Sequence, residues 1–125
     1  MAVTLVIAGL MLAQAASGIT VEAQPQTDLV GYQALSAGRP DLAIQRIAAD
    51  PVMSASDPAA LINLGTAYAR TGDHAAALAR YQAALTSRDR YDLELADGRW
   101  LDSRQAARLA IVMLQRGEAL ALALR

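Results

Sequence analysis

The chain has 125 residues, 54% of them hydrophobic and 4% aromatic, with no Phe, Cys or Lys. Its 11 cationic residues are all Arg and face 12 acids, for a formal net charge of −1. This balance excludes a non-specific nucleic-acid surface, the lack of Cys excludes a disulfide framework or thiolate metal site, and the apolar content argues against a disordered chain. Ala (29 residues) and Leu (18) supply most of the apolar count, and both are strong helix formers. The length gives a prior of one small domain, all-α in class. The Ala, Gly and Arg bias without Lys suggests GC-rich coding and a bacterial source.

Residues 1–13 are almost unbroken apolar sequence, and Ala13-Gln14-Ala15 has the small-x-small form of a signal-peptidase site. Val21-Glu22-Ala23 is a weaker second site. Residues 1–23 therefore read as a secretory signal peptide, although no Lys or Arg precedes the apolar stretch. The rival reading is an uncleaved anchor, since the stretch to Val21 reaches the ~20 residues a spanning helix needs. A core helix fits less well, because 1–13 has no polar face. The expected location is exported and periplasmic, with inner-membrane anchoring through this segment as the alternative.

From residue 24 onward the chain repeats itself at a shift of 34. Val30-Gly31 aligns with Leu64-Gly65, Gly38 with Gly72, Ala43-Ile44 with Ala77-Leu78, and Ile47 with Tyr81. A fixed period of this size signals stacked supersecondary units. In the second copy, residues 58–91, Asp57-Pro58 gives an N-cap with Pro at the first helical position. Leu61, Leu64 and Ala67 or Tyr68 follow at helical spacing. Gly72 suits a left-handed helix end, and Asp73 can cap the next helix, whose apolar side is Ala77, Leu78, Tyr81, Ala84 and Leu85. Gly65 and Ala77 lack bulk where the two helices cross.

On these residues the segment 58–91 resembles a tetratricopeptide repeat. The family's pattern reads here as Leu61, Leu64-Gly65, Tyr68, Gly72-Asp73, Ala77-Leu78, Tyr81 and Ala84-Leu85, with Asp89 replacing the usual Pro. The first copy, residues 24–57, is degenerate: it keeps Gly31, Gly38 and Ala43-Ile44 but has Ala34 for Tyr68 and Asp50 for Ala84. Its second helix is expected to stop at Asp50-Pro51 and leave a polar loop over 53–57. The resemblance covers about 68 of the 125 residues. It implies an α-solenoid of antiparallel helix pairs over residues 24–125, with a concave groove lined by the first helix of each pair. The groove side would carry Asp28, Tyr32 and Leu35, then Ile62, Thr66 and Ala69, with Asn63 and Arg70 beside them. Some family members clamp a peptide carboxylate with Lys and Asn. Asn63 matches one such position, but Asp28 and Tyr32 stand where those members have Lys and Asn, so a mixed apolar groove for a helix or extended segment fits better.

No third copy follows. Tyr91, Leu93 and Leu95 alternate with acids, Asp97-Gly98 is a turn signal, and 99–101 can return as a strand, so residues 91–101 read as a short β-hairpin or an extended loop. Asp102-Ser103 offers an N-cap for a capping helix over 103–125, with Ala106, Ala107, Ala110, Ile111 and Leu114 inward. Gly117 either ends that helix or weakens it. Trp100, the only Trp, reads as an anchor of this segment to the repeats, or as a surface hot spot.

No catalytic constellation is evident. His74 is the only histidine and has no visible partner for nucleophilic or zinc chemistry. The acids Asp89, Asp92, Glu94, Asp97 and Asp102 do not match a calcium loop and are interleaved with Arg. Neither catalytic residues, metal nor cofactor is expected. The leading expectation is a non-catalytic module that binds another protein or peptide segment, with candidate contacts at Asp28, Tyr32, Leu35, Ile62, Asn63, Thr66, Arg70 and Trp100. The alternatives are a membrane-tethered assembly factor and an accessory subunit of an envelope enzyme. Nucleic acid is not an expected partner, a membrane is one only through an uncleaved amino-terminal segment, and self-association is plausible for so few repeats.

Overall fold

The computed structural model describes residues 30–117. The expected signal segment, Asp28 and the stretch 118–125 lie outside them. The described chain is mostly helical with one small two-stranded sheet. Its elements are α1 (Tyr32–Ser36), α2 (Pro40–Ala48), α3 (Pro51–Ser56), α4 (Pro58–Arg70), α5 (His74–Thr86), β1 (Asp92–Glu94), β2 (Trp100–Asp102) and α6 (Ser103–Arg116).

Two turns dominate the architecture. After α4 the Asp73 N–H donates to Tyr68 O at 2.9 Å and the Gly72 N–H to Ala69 O at 3.1 Å. After α1 the Arg39 N–H donates to Ala34 O at 2.8 Å and the Gly38 N–H to Leu35 O at 3.0 Å. Each pair of bonds satisfies carbonyls that a helix end would otherwise leave without partners, with Gly at the left-handed position. Gly72 and Gly38 have φ of 89° and 73°, a region that a Cβ disfavours. Donors and acceptors in the two turns differ in number by 34 throughout.

The helices on either side of these turns cross tightly. A Cβ built on Gly65 would fall 2.6 Å from the Tyr81 ring and 3.1 Å from Ala77 O. One on Gly31 would fall 2.8 Å from the tip of Ile47 and 3.3 Å from the Ala43 Cβ. These contacts again differ by 34. One core cluster joins Ala69, Ala77, Tyr81, Ala110 and Leu114, and another joins Leu61, Ala84 and Ala107. Rising numbers on α4 thus meet falling numbers on α5, and α5 meets α6 the same way, so these three helices run antiparallel in succession. On its other side α4 packs against α2, with Ile47, Ala60 and Leu64 in one cluster and Ala34, Leu35, Ala43 and Ala67 in another. Small residues at the contacts let the axes approach closely.

The starts of the helices follow their caps. Asp57 accepts from the Ala60 N–H at 2.9 Å, Asp73 from Ala76 at 3.0 Å, and Asp102 from Arg104 and Gln105. The expected polar loop over 53–57 is instead largely helical, as α3. Asp50 accepts from the Val52 and Met53 N–H groups, both at 3.1 Å, and Pro51 sits at the first turn, so the device that opens α4 also opens α3. The first helix of the first unit begins only at Tyr32, because Gly31 is itself left-handed with φ 71°.

Residues 91–102 form a hairpin with Leu93 opposite Leu101 and Glu94 opposite Trp100. Residues 96–98 close it: the Gly98 N–H donates to Leu95 O, and the Leu95 N–H donates to Arg99 O at 2.7 Å. This is the three-residue connection, with a left-handed Gly in its last position. So short a hairpin is marginal alone. Here its base is bonded to the start of α6, where the Ser103 N–H donates to Tyr91 O at 2.9 Å and the Tyr91 N–H to the buried Ser103 Oγ at 3.3 Å. Helix α6 ends at Arg116, where Gly117 takes a positive φ of 71°. Ala106, Ala107, Ala110 and Leu114 face inward. No helix among the described residues is long and apolar enough to cross a membrane.

Candidate partner-binding surface

The residues expected to line a groove on α1 and α4 are distributed differently from the expectation. Thr66 is only 6% exposed, and its hydroxyl is 2.9 Å from that of the fully buried Tyr81. Burial pushes the Tyr81 hydroxyl pKa upward, with the Thr66 bond and the nearby Arg70 charge working against that. Thr66 therefore satisfies the one polar atom that a buried tyrosine brings into the core. Leu35 is 7% exposed and belongs to the cluster between α1, α2 and α4.

Asn63 and Arg70 reach back to the first unit. Asn63 Nδ2 donates to Val30 O at 2.7 Å, and Arg70 Nη1 donates to Leu35 O at 2.8 Å. Leu35 O, which also accepts from the Gly38 N–H, thus takes a second bond from α4, and Val30 O takes one just ahead of α1. Burial lowers the Arg70 pKa, with the Tyr81 oxygen opposing. Three of the eight candidates, Leu35, Asn63 and Arg70, thus hold the two units together, while Thr66 ties α4 to α5 within the second. Ile62 is half-buried and packs against the α4–α5–α6 core, and Tyr32 is half-buried on α1. Asp28 lies outside the described residues.

Trp100 does not anchor the hairpin, since it is 64% exposed. Leu93 and Leu101 form a directly opposed, half-buried pair. Alternation then puts Trp100 on the opposite side of the sheet, with Glu94 directly across from it and Asp92 one pair further on. Tyr91 is the anchor instead. Its hydroxyl donates to the Asp57 carboxylate in a short bond, and Asp57 also caps α4. Partial burial, then the Asp57 bond and charge, raise the Tyr91 pKa above that of a free tyrosine. Arg90 Nε donates to Asp102 at 2.7 Å, holding that carboxyl below its ordinary value while it caps α6. Asp97 is likewise lowered, first by the Arg99 N–H and then by the Arg99 side chain.

An open depression of about 450 Å³ lies between α3 and the end of α5, lined by Ser56, Ala83, Thr86, Ser87 and Arg88 among others. It holds no activated nucleophile. The Ser87 hydroxyl donates to Ser56 O at 2.5 Å and accepts from the Asp89 N–H, while Arg104 Nη2 bonds Ser87 O. His74 stands exposed at the first turn of α5. Among the described residues no group of three or more His, Asp or Glu side chains is placed to hold a metal ion. The half-buried candidates are thus Tyr32 on α1 and Ile62 on α4, while Trp100 stands exposed among carboxylates on the hairpin. Compared with known proteins, the chain matches no family model, no curated relative and no solved structure.

Proposed function

We propose that the chain is a non-catalytic protein-interaction module of tetratricopeptide type, working in the bacterial cell envelope. The observation that carries this reading is the recurrence, 34 residues apart, of both the helix-ending turn and the glycine crossing beneath it. Units that repeat in this manner cannot each bury their apolar faces alone, and stacking them leaves a curved surface that other chains use. Asn63 and Arg70, bonded to backbone of the preceding unit, support stacking rather than two independent hairpins. The partner is a protein segment with an apolar side, which meets Tyr32 and Ile62. Export rests on the apolar residues 1–13 and the small-x-small site after them.

The test is site-specific photocrosslinking in the native envelope, with the crosslinker replacing Tyr32, Ile62 or, as a control, exposed Ala79 on α5. The reading requires one protein captured from both Tyr32 and Ile62 and not from Ala79. Equal capture from all three positions, or none from the first two, overturns it. Mass spectrometry of the native amino terminus tests export separately. A start at Ala16 or Gln24 supports it, and an intact Met1 refutes cleavage.

A further inference from the structure

Two surfaces of opposite character lie at the carboxy-terminal end of the described chain. The first is the outer side of the hairpin, where Trp100 is 64% exposed and has the exposed carboxylates of Glu94 and Asp92 beside it. Asp97 and Asp102 each hold an Arg partner and Asp92 feels the charge of nearby Arg90, whereas Glu94 forms no ion pair among the described residues. The second is the outward face of α6. Arg108, Leu109, Val112 and Arg116 are all exposed there and recur at helical spacing, and α6 contains no acid. Leu109 and Val112 are 38% and 40% exposed, so this last helix leaves an aliphatic strip open between guanidinium groups.

We propose that these two surfaces are each other's partners in different copies of the chain, so that the hairpin of one molecule seats on α6 of the next. The occupant follows from charge complementarity. A second α6 on α6 would set Arg against Arg, and a second hairpin on the hairpin would set carboxylate against carboxylate. The hairpin-to-α6 pairing sets Glu94 and Asp92 against Arg108 and Arg116. It covers the Trp100 ring with aliphatic surface and places a guanidinium within reach of its face. Such a contact joins unlike patches, so it closes into a two-fold dimer only if both pairings form at once, and otherwise extends head to tail. It uses residues separate from Tyr32 and Ile62, so the proposed partner surface can fail while this contact stands, and the reverse.

The experiment is sedimentation velocity of the full chain across a concentration series, with emission of the single Trp recorded on the same samples. The wild type is expected to self-associate with a blue shift of Trp100 emission as the ring leaves water. Glu94→Arg and Arg108→Glu should each weaken association by about tenfold or more, through like charges at the contact. An equimolar mixture of the two variants should associate again, because the reversed hairpin meets the reversed helix. Circular dichroism of each variant confirms that it is folded. A wild-type chain that stays monomeric overturns the proposal. So does association indifferent to either reversal, or a mixture that fails to recover.

Discussion

The two helix pairs share a turn and a crossing but are built to different lengths, and the contrast separates what defines a unit from what stabilises it. The turn after α1 and the turn after α4 share the bonds from their glycines and from the residues after them, yet α1 has 5 residues and α4 has 13. At the crossing, Gly31 faces aliphatic Ile47, while Gly65 faces the ring of Tyr81, whose hydroxyl needs Thr66. The first pair leans on its neighbour through Asn63 and Arg70, whereas the second is enclosed by α2 on one side and α6 on the other. The shared turn thus accompanies two helix pairs of very different length, and the stability comes from what packs around it.

The largest difference between the two pairs is expected at Tyr81. Tyr81→Ala empties the centre of the second pair and should cost about 3–5 kcal/mol, comparable to the whole stability of a small domain. Urea denaturation should find this variant largely unfolded, while Ile47→Val in the first pair should lose only about 0.5–1.5 kcal/mol. Next is Gly65→Ala. The added methyl gains about 1 kcal/mol of helix propensity but is driven into a ring held by its own hydrogen bond, for a net loss of about 2 kcal/mol.

Gly38→Ala and Gly72→Ala probe the two turns themselves. Neither new Cβ would meet any atom within 4 Å, so both report backbone strain alone. The two variants should lose the same amount, about 1 kcal/mol each, in parallel denaturation experiments. A loss at only one of them would mean that the two turns are not equivalent.

The smallest effect belongs to the hairpin, which has no counterpart in either pair. Asp102 has its folded pKa lowered by Arg90, so its contribution is fully present above the unfolded value near 3.8 and is lost as pH falls through the lower folded value. Protection of the Leu93 and Leu101 amides, relative to their intrinsic exchange rates at each pH, should therefore fall on acidification below about pH 4. Asp102→Asn should flatten that pH dependence.

The second pair was legible because each of its features has a local cause: Asp57-Pro58 and Asp73 begin helices, Gly72 ends one, and a 3–4 apolar spacing fills the rest. The hairpin was legible as an alternative to a loop, since alternation and Asp97-Gly98 mark a return without fixing its register. Register is what decides Trp100. Closing the chain over residues 96–98 pairs Glu94 with Trp100 and turns the indole outward. Helix α3 carried the same Asp-Pro signal as α4, and that signal was sufficient to find it. Thr66, Asn63 and Arg70 were not legible as internal ties. Helical spacing gives the face of a residue, but not whether a buried tyrosine or a backbone carbonyl lies opposite.

The chain folds one turn twice at a spacing of 34 residues. Scalar couplings across backbone hydrogen bonds, measured by NMR on the isotope-labelled protein, detect both turns. A correlation is expected from the Asp73 amide nitrogen to the Tyr68 carbonyl carbon, and a second from the Arg39 amide nitrogen to the Ala34 carbonyl carbon. A correlation at Asp73 with none at Arg39, in a spectrum that resolves both amides, would contradict this repetition of the turn.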